Sequence, residues 1–298
     1  MMMSEKTSSP LIRSTVTDEI FNALGLRRRG FLRRCLGWIF ALPTGIFARY
    51  MTAVDQAVGR GGLPAGCQKM LDLLGVHAQA KGTTQIPIKG PAIILANHPG
   101  AYDSIVIGSL IPRADLKFIV SKTRFYQVLP NIHPRFIYVS NDPLERMLAL
   151  RGAVDHLRQG AVLLQFGSGS IEPDPATHPI GDDVFSKWFP SMEIFLRKVR
   201  DTVVVPTIAS GVLLERFDNH PLTKLRRGAK DKRLLAEFMQ VIQQLVSPKS
   251  VTAHPKISFG SPFTLADING AGKGRRLMPP IIARIKEQLK NHLTWIGR

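Results

Sequence analysis

Beyond about residue 80 the apolar residues gather into short runs bounded by turn-forming residues. Ala92 to Ala96, Leu116 to Val120, Phe136 to Val139, Ala161 to Phe166, Val203 to Ile208 and Lys256 to Phe259 read as strands. Between them lie stretches with helical spacing. One is sharply bounded: Asn141-Asp142 supply a cap and Pro143 fits the first turn. Leu144, Met147, Leu148, Val154 and Leu157 then recur on one side until Gly160 ends the run. Further helices are expected at about 184–199, 230–246 and 279–296. Strands alternating with helices predict an α/β fold, a mixed, largely parallel sheet flanked by helices. The first 80 residues read differently. Residues 1 to about 20 are polar and Ser/Thr-rich, the composition of a disordered leader, and helical stretches follow at about 17–26, 30–57 and 64–78. Gly61-Gly62-Leu63-Pro64 and Lys81-Gly82-Thr83-Thr84 punctuate the pattern. The expected division is a leader and helical region over 1–80 and an α/β domain over 81–298.

Composition narrows the partners. The chain has 298 residues, 44% of them hydrophobic, enough to bury a sizeable core. Two cysteines, Cys35 and Cys67, make no disulfide framework, and no Cys/His group has zinc spacing, so neither a structural metal nor a cofactor is expected. A formal net charge of +18 points to an anionic partner: a membrane surface, a phosphate-bearing substrate or nucleic acid. Aromatics at 7%, with no recognition motif carrying interleaved basic residues, speak against nucleic acid. The run from Arg27 to Arg34 leads into an uncharged stretch, Cys35 to Ala48, that contains Trp38 and Phe40. As a helix that stretch covers about 21 Å, short of the roughly 30 Å of a bilayer's hydrocarbon core, and Pro43 with Gly45 is expected to break it. Arginines beside Trp and Phe suit an interfacial segment on an anionic membrane. Lys224 to Arg233 and Lys273 to Arg276 are further basic runs, solvated or in contact with phosphates.

The chemistry concentrates at two predicted strand ends. After Ala92 to Ala96 comes Asn97-His98-Pro99-Gly100-Ala101-Tyr102-Asp103, where Pro99-Gly100 turns the chain and Asp103 opens the next helix-like run. Asp103 in hydrogen-bond reach of His98 would fix the ring's tautomer and stabilise the imidazolium formed when the other nitrogen takes a proton, which makes a general base with its orienting acid. The bare spacing recurs at His178 and Asp183, in a Pro- and Asp-rich segment with no strand before it, which reads as loop. The strand Ala161 to Phe166 ends in Gly167-Ser168-Gly169-Ser170-Ile171-Glu172-Pro173-Asp174, whose glycines let amide groups approach an anion or oxyanion. The segment lacks the third glycine of a dinucleotide-binding turn and the glycine spacing of a hydrolase nucleophile elbow.

Together these segments resemble the glycerolipid acyltransferase family, the bacterial type that acylates lysophosphatidic acid or glycerol 3-phosphate, over roughly residues 80–262. His98 and Asp103 match its His-x-x-x-x-Asp motif, Phe166 to Ser170 falls where the family has Phe-Pro-Glu-Gly-Thr, and Val205-Pro206 matches its later Val-Pro element. The resemblance implies that His98 deprotonates an acceptor hydroxyl, which attacks an acyl thioester of coenzyme A or acyl carrier protein directly. It also implies attachment to the membrane through N-terminal helices. The chain departs from the pattern at Ser168, where the family has glutamate, at Ile171, where arginine is usual, and at Ser140-Asn141 in place of Asp-Arg. Candidate replacements are Glu172 and Asp174 for the carboxylate and Lys122, Arg124 or Arg135 for the positive charge.

The expected activity is therefore O-acyl transfer to a lysophospholipid or related acceptor at the cytoplasmic face of a membrane. Its partners would be an acyl-CoA or acyl carrier protein donor, the hydroxyl acceptor and the anionic surface. The site set is His98 and Asp103 for catalysis, and Phe166, Gly167, Ser168, Gly169, Ser170, Glu172, Lys122, Arg124 and Arg135 for substrate. Two alternatives come from other classes. One is a thioesterase or lipase-like hydrolase using water, Ser168 or Ser170. The other is a non-catalytic basic protein that binds membrane or nucleic acid.

Overall fold

The computed structural model describes residues 10–18, 31–100, 102–268 and 276–298, and leaves aside the side chains of 31–39, 229, 230 and 249. Among the described residues, seven strands form one sheet: β1 (Gln79–Lys81), β2 (Ala92–Ala96), β3 (Lys117–Ser121), β4 (Phe136–Val139), β5 (Val162–Phe166), β6 (Val203–Ser210) and β7 (Lys256–Phe259), in the order β1-β7-β6-β2-β5-β3-β4. Five neighbouring pairs are parallel and only β6 with β7 is antiparallel. The α/β sheet predicted from the alternating pattern is thus the observed fold. β2 sits at its centre, every residue buried, in register with both β5 (Ala96 opposite Phe166) and β6 (Ala96 opposite Thr207).

Strand alternation sends side chains to two cores. Ala92, Ile94, Val162, Leu164, Val205 and Ala209 face one side, and Ile93, Leu95, Leu163, Val204 and Ile208 the other. The first side is covered by α2 (Phe31–Leu74), α3 (Asp103–Ser109) and α9 (Ala229–Val246); the second by α5 (Pro143–Arg158), α7 (Ser191–Lys198) and α10 (Met278–Ile296). At the edge where the parallel strands begin, Arg113 is buried. Its guanidinium donates to Gly90 O and Gly160 O, both at 2.6 Å, and forks onto Asp115. One cation thereby ties the entries of β2, β3 and β5 together.

Several local expectations change. Residues 10–18, assigned to a polar leader, form a helix, α1, that buries Ile12 and Val16 one turn apart. The helix of α2 continues through Pro43, where the Thr44 hydroxyl bonds back to Phe40 O at 2.6 Å, and it bends at Gly61 and Gly62 instead. Gly62 has φ of +73°, and a β-carbon there would lie 2.7 Å from Ala114 O, so the bend requires glycine. The bend lies at the strand-entry edge, while Phe47 packs on Phe125 just beyond the exit of β3. Residues 31–46 therefore run past the edge where the parallel strands end. Among the described residues no helix is long and apolar enough to cross a membrane. The Arg27–Trp38 segment falls on residues or side chains outside the description, as do Lys273 and Arg275. In α5, Leu144, Met147 and Leu148 are all more than half exposed, because Ala153, Val154 and Leu157 near the other end make the contact with the sheet. The 184–199 helix is two pieces, α6 (Asp182–Phe185) and α7, with Trp188 and Pro190 between them.

Candidate active site

The exit ends of β2, β5 and β6 converge, the place where parallel α/β sheets bind ligands. His98 is the second residue after β2, and Asn97 between them fixes it from behind. Its amide accepts from Ala209 N at 2.7 Å and donates to Ala209 O at 2.9 Å, locking the end of β2 to β6. Asp103 opens α3 with its side chain completely buried. Its Oδ2 lies 2.8 Å from His98 Nδ1 and accepts from Gly100 N at 3.1 Å. The tight turn predicted at Pro99-Gly100 thus folds the aspartate back onto the histidine. The imidazole stacks on Phe166, the last residue of β5, with centroids 4.3 Å apart and planes 17° apart. Its side chain is 23% exposed, and among the described residues Nε2 has no hydrogen-bond partner. With Nδ1 held by a carboxylate, Nε2 is the nitrogen left to accept a proton. Burial pushes the His98 pKa down, but the charge and hydrogen bond of Asp103, with the charge of Glu172 adding to them, leave it above the ordinary value.

The glycine-rich segment after β5 acts as a clamp. Gly167 N donates to Ala96 O at 3.0 Å, and a β-carbon on Gly167 would fall 1.9 Å from the Trp188 ring, so the indole lies directly against the backbone. The Ser168 hydroxyl donates to Ser170 O at 2.9 Å, and Ser170 N in turn reaches Ser168 Oγ at 3.3 Å. The amides of Gly167 and Ser170, expected to cradle substrate, are therefore already bonded within the protein. Glu172 is likewise engaged on both oxygens: Trp188 Nε1 donates to Oε1 at 2.9 Å and His98 N to Oε2 at 3.3 Å, while Glu172 N donates to His98 O at 2.7 Å. Burial pushes its pKa up, against the hydrogen bonds that lower it. Asp174 fills a nest of amides, accepting from Gly211, Val212 and Leu213 after β6 and from Ala176. These carboxylates hold the three strand ends together.

The three basic candidates separate. Lys122 and Arg124 lie beyond the exit of β3, on the same edge as His98 but two strands across from β2. Lys122 Nζ is paired with Glu145 at 2.5 Å, and Arg124 is exposed on the short α4 (Arg124–Gln127). Arg135 precedes β4 and donates to Ala114 O at 2.8 Å, which places it at the strand-entry edge, opposite the site. It is not a substrate cation for His98. His178 bonds to Thr177 and sits 3.6 Å from Asp218 at the end of the short α8 (Glu215–Asp218), whereas Asp183 pairs with Lys187, so the second His-Asp spacing makes no dyad.

Among the described residues no serine is hydrogen-bonded to His98, and the Ser168 hydroxyl is engaged with Ser170 O instead. The buried Ser210–His292–Ser258 chain, with contacts of 2.8 and 2.7 Å, has Ser–His bonds but no exposure, and joins β6 and β7 to α10. Sequence reasoning missed Glu237 of α9. It is 6% exposed, and the charges of Asp103 and His98 both act on it. No spacing motif connects it to them; the one signal was a lone glutamate among the apolar positions of an amphipathic helix.

No family model matches the chain, and no curated protein matches it in sequence. Among solved structures it is similar to the crystal structure of the 1-acyl-sn-glycerophosphate (LPA) acyltransferase, PlsC, from Thermotoga maritima. The TM-score is 0.44 and the identity 14%, over 96% of this chain and 97% of that one. At that level of overlap, a functional reading has to stand on the residues of this chain.

Proposed function

We propose that this protein is an O-acyltransferase that moves an acyl group from a thioester of coenzyme A or acyl carrier protein to the hydroxyl of a lysophospholipid or related acceptor. The observation that carries the reading is the dyad: a buried aspartate on Nδ1 of a histidine whose Nε2 has no protein partner among the described residues, at the exit edge of a parallel sheet. The order of the sequence motifs supports it. In the reaction, His98 Nε2 takes the proton of the acceptor hydroxyl as its oxygen bonds to the thioester carbonyl carbon. Asp103 stabilises the imidazolium that forms. The tetrahedral adduct collapses with cleavage of the carbon–sulfur bond, and the imidazolium returns the proton to the departing thiolate. No acyl-enzyme is needed, in keeping with the absence of a serine on His98 among the described residues.

A peripheral position on the cytoplasmic face of a membrane belongs to the same proposal. It is supported by the net charge of +18 and by residues 31–46 extending past the edge that carries His98. The test is mass-spectrometric detection of acylated product from acyl-CoA or acyl carrier protein with a panel of lysolipid, glycerol 3-phosphate and neutral acceptors. Wild-type protein should form acceptor-dependent product, and His98→Ala should lose about a hundredfold or more of the turnover. Free fatty acid alone would make the protein a hydrolase. Equal turnover by His98→Ala would remove the histidine from the chemistry.

A further inference from the structure

Among the described residues, two buried carboxyl oxygens at the dyad have no hydrogen-bond partner: Asp103 Oδ1 and Glu237 Oε1. Asp103 Oδ2 is taken by His98 and Gly100 N, so Oδ1 is the end of that carboxylate left bare. Glu237 approaches from α9. Its Oε1 lies 3.8 Å from the point where a β-carbon on Gly100 would stand, and Gly100 N is itself bonded to Asp103, so the two carboxyls flank the same glycine. The approach is held by Gln240, one turn along the same helix. Gln240 Nε2 donates to Tyr102 Oη and to Val212 O, both at 2.8 Å, and Tyr102 immediately precedes Asp103.

Two bare carboxylate oxygens buried together repel, and neither can donate to the other. One proton satisfies both, because a carboxylic acid donates to a carboxylate. Asp103 Oδ2 already accepts from an imidazole and an amide, so the proton belongs on the glutamate. We propose that Glu237 is a neutral acid that donates a hydrogen bond to Asp103 Oδ1, making Glu237–Asp103–His98 a three-residue chain with Glu237 as a positioning residue. This rests on the acyl-transfer reading only for its kinetic consequences.

The surroundings agree. Burial pushes the Glu237 pKa up, and the charge of Asp103 raises it further, to about 8. His98 and, on its own helix, Arg233 act in the opposite direction. Tyr102, from the turn before α3, and apolar Val212 and Leu213, from the segment after β6, line the same small cavity as Glu237. At neutral pH the group holds its proton; above about 8 it ionises and sets a second negative charge beside the dyad.

Titration of His98 followed by NMR tests the proton without any substrate. If Glu237 stays neutral through that titration, Glu237→Gln leaves the His98 pKa where it is in the wild type. A fall of a unit or more would mean that a charge was removed, which overturns the proposal. Kinetics give the second arm. Wild-type kcat/KM should decline above about pH 8, and that decline should be missing in Glu237→Gln. Glu237→Met should lose about tenfold in kcat, most of it restored by glutamine, which keeps a donor. Full activity in Glu237→Met, with an unchanged alkaline limb, would also overturn it. Should the wild type transfer no acyl group, the acyltransferase reading fails while the NMR titration still decides the state of Glu237. If Glu237→Met does not fold, the glutamine variant alone carries both readouts.

Discussion

At the scale of single residues, the site depends on carboxylates used in different ways. Asp103 touches the base and Glu172 holds the loop that carries it. Removing Glu172 strands two donors at once, Trp188 Nε1 and His98 N. Glu172→Ala should therefore lower stability by about 2 kcal/mol in urea unfolding and reduce turnover by tenfold or more, since unpaired buried donors carry their desolvation cost. A variant with unaltered unfolding would show that those bonds contribute nothing net. Some of this was legible in the sequence. His98 and Asp103 announce themselves by the strand before them and the Pro-Gly turn between them. Glu172 and Asp174 were recognised as carboxylates near the site, but not as clamps, because their partners are backbone amides supplied by segments distant in sequence. Glu237 stands out only as a lone acid among the apolar positions of its helix, and that carries no indication of which strand end it will meet.

At the scale of elements, the apolar runs predicted six of the seven strands: β2, β4 and β7 occupy the segments expected, and β3, β5 and β6 lie within two residues of theirs. β1 was missed because all three of its residues are exposed and it has no apolar pattern to find. The stripe of Leu144, Met147 and Leu148 misled for the opposite reason: helical spacing says that residues share a face, not that the face is covered. The segment between β5 and α7 offers a test of close packing. Gly167→Ala would push a methyl group into the Trp188 ring, displacing the indole and the Glu172 bond with it. The expected cost is roughly 2–3 kcal/mol, with a shift in tryptophan fluorescence, and wild-type stability would mean that the loop yields freely.

At the scale of the whole molecule, pH acts through buried groups of opposite sign. His292, fully buried between Ser210 and Ser258, has its pKa pushed down to about 4, first by burial and then by the charge of Lys256. The unfolded chain binds a proton at this residue near pH 6.5, before the folded protein does. Stability is therefore fully present above that pH and is lost as pH falls from about 6.5 to about 4, by an amount on the order of 3 kcal/mol. Glu172, Asp174 and Glu237, raised by burial, act the other way, because the folded state takes their protons first as the solution is acidified. The histidine's share appears as the difference between wild type and His292→Asn in denaturant midpoints measured from pH 7 to 4.5. A constant difference across that range would show that His292 titrates alike in both states.

The centre of the sheet is held by strands that come late. β2 is bordered on one side by β5 and on the other by β6, and the helix that reaches behind Asp103 follows later still. A chain emerging from a ribosome at roughly 5–20 residues per second exposes His98 some ten seconds before α9 exists to meet it. Through that interval the most apolar strand of the protein has both edges open, a site for mispairing. Its dependence on chaperones should fall within this window rather than after release, and no contiguous fragment lacking the later segments can rebuild the dyad's surroundings.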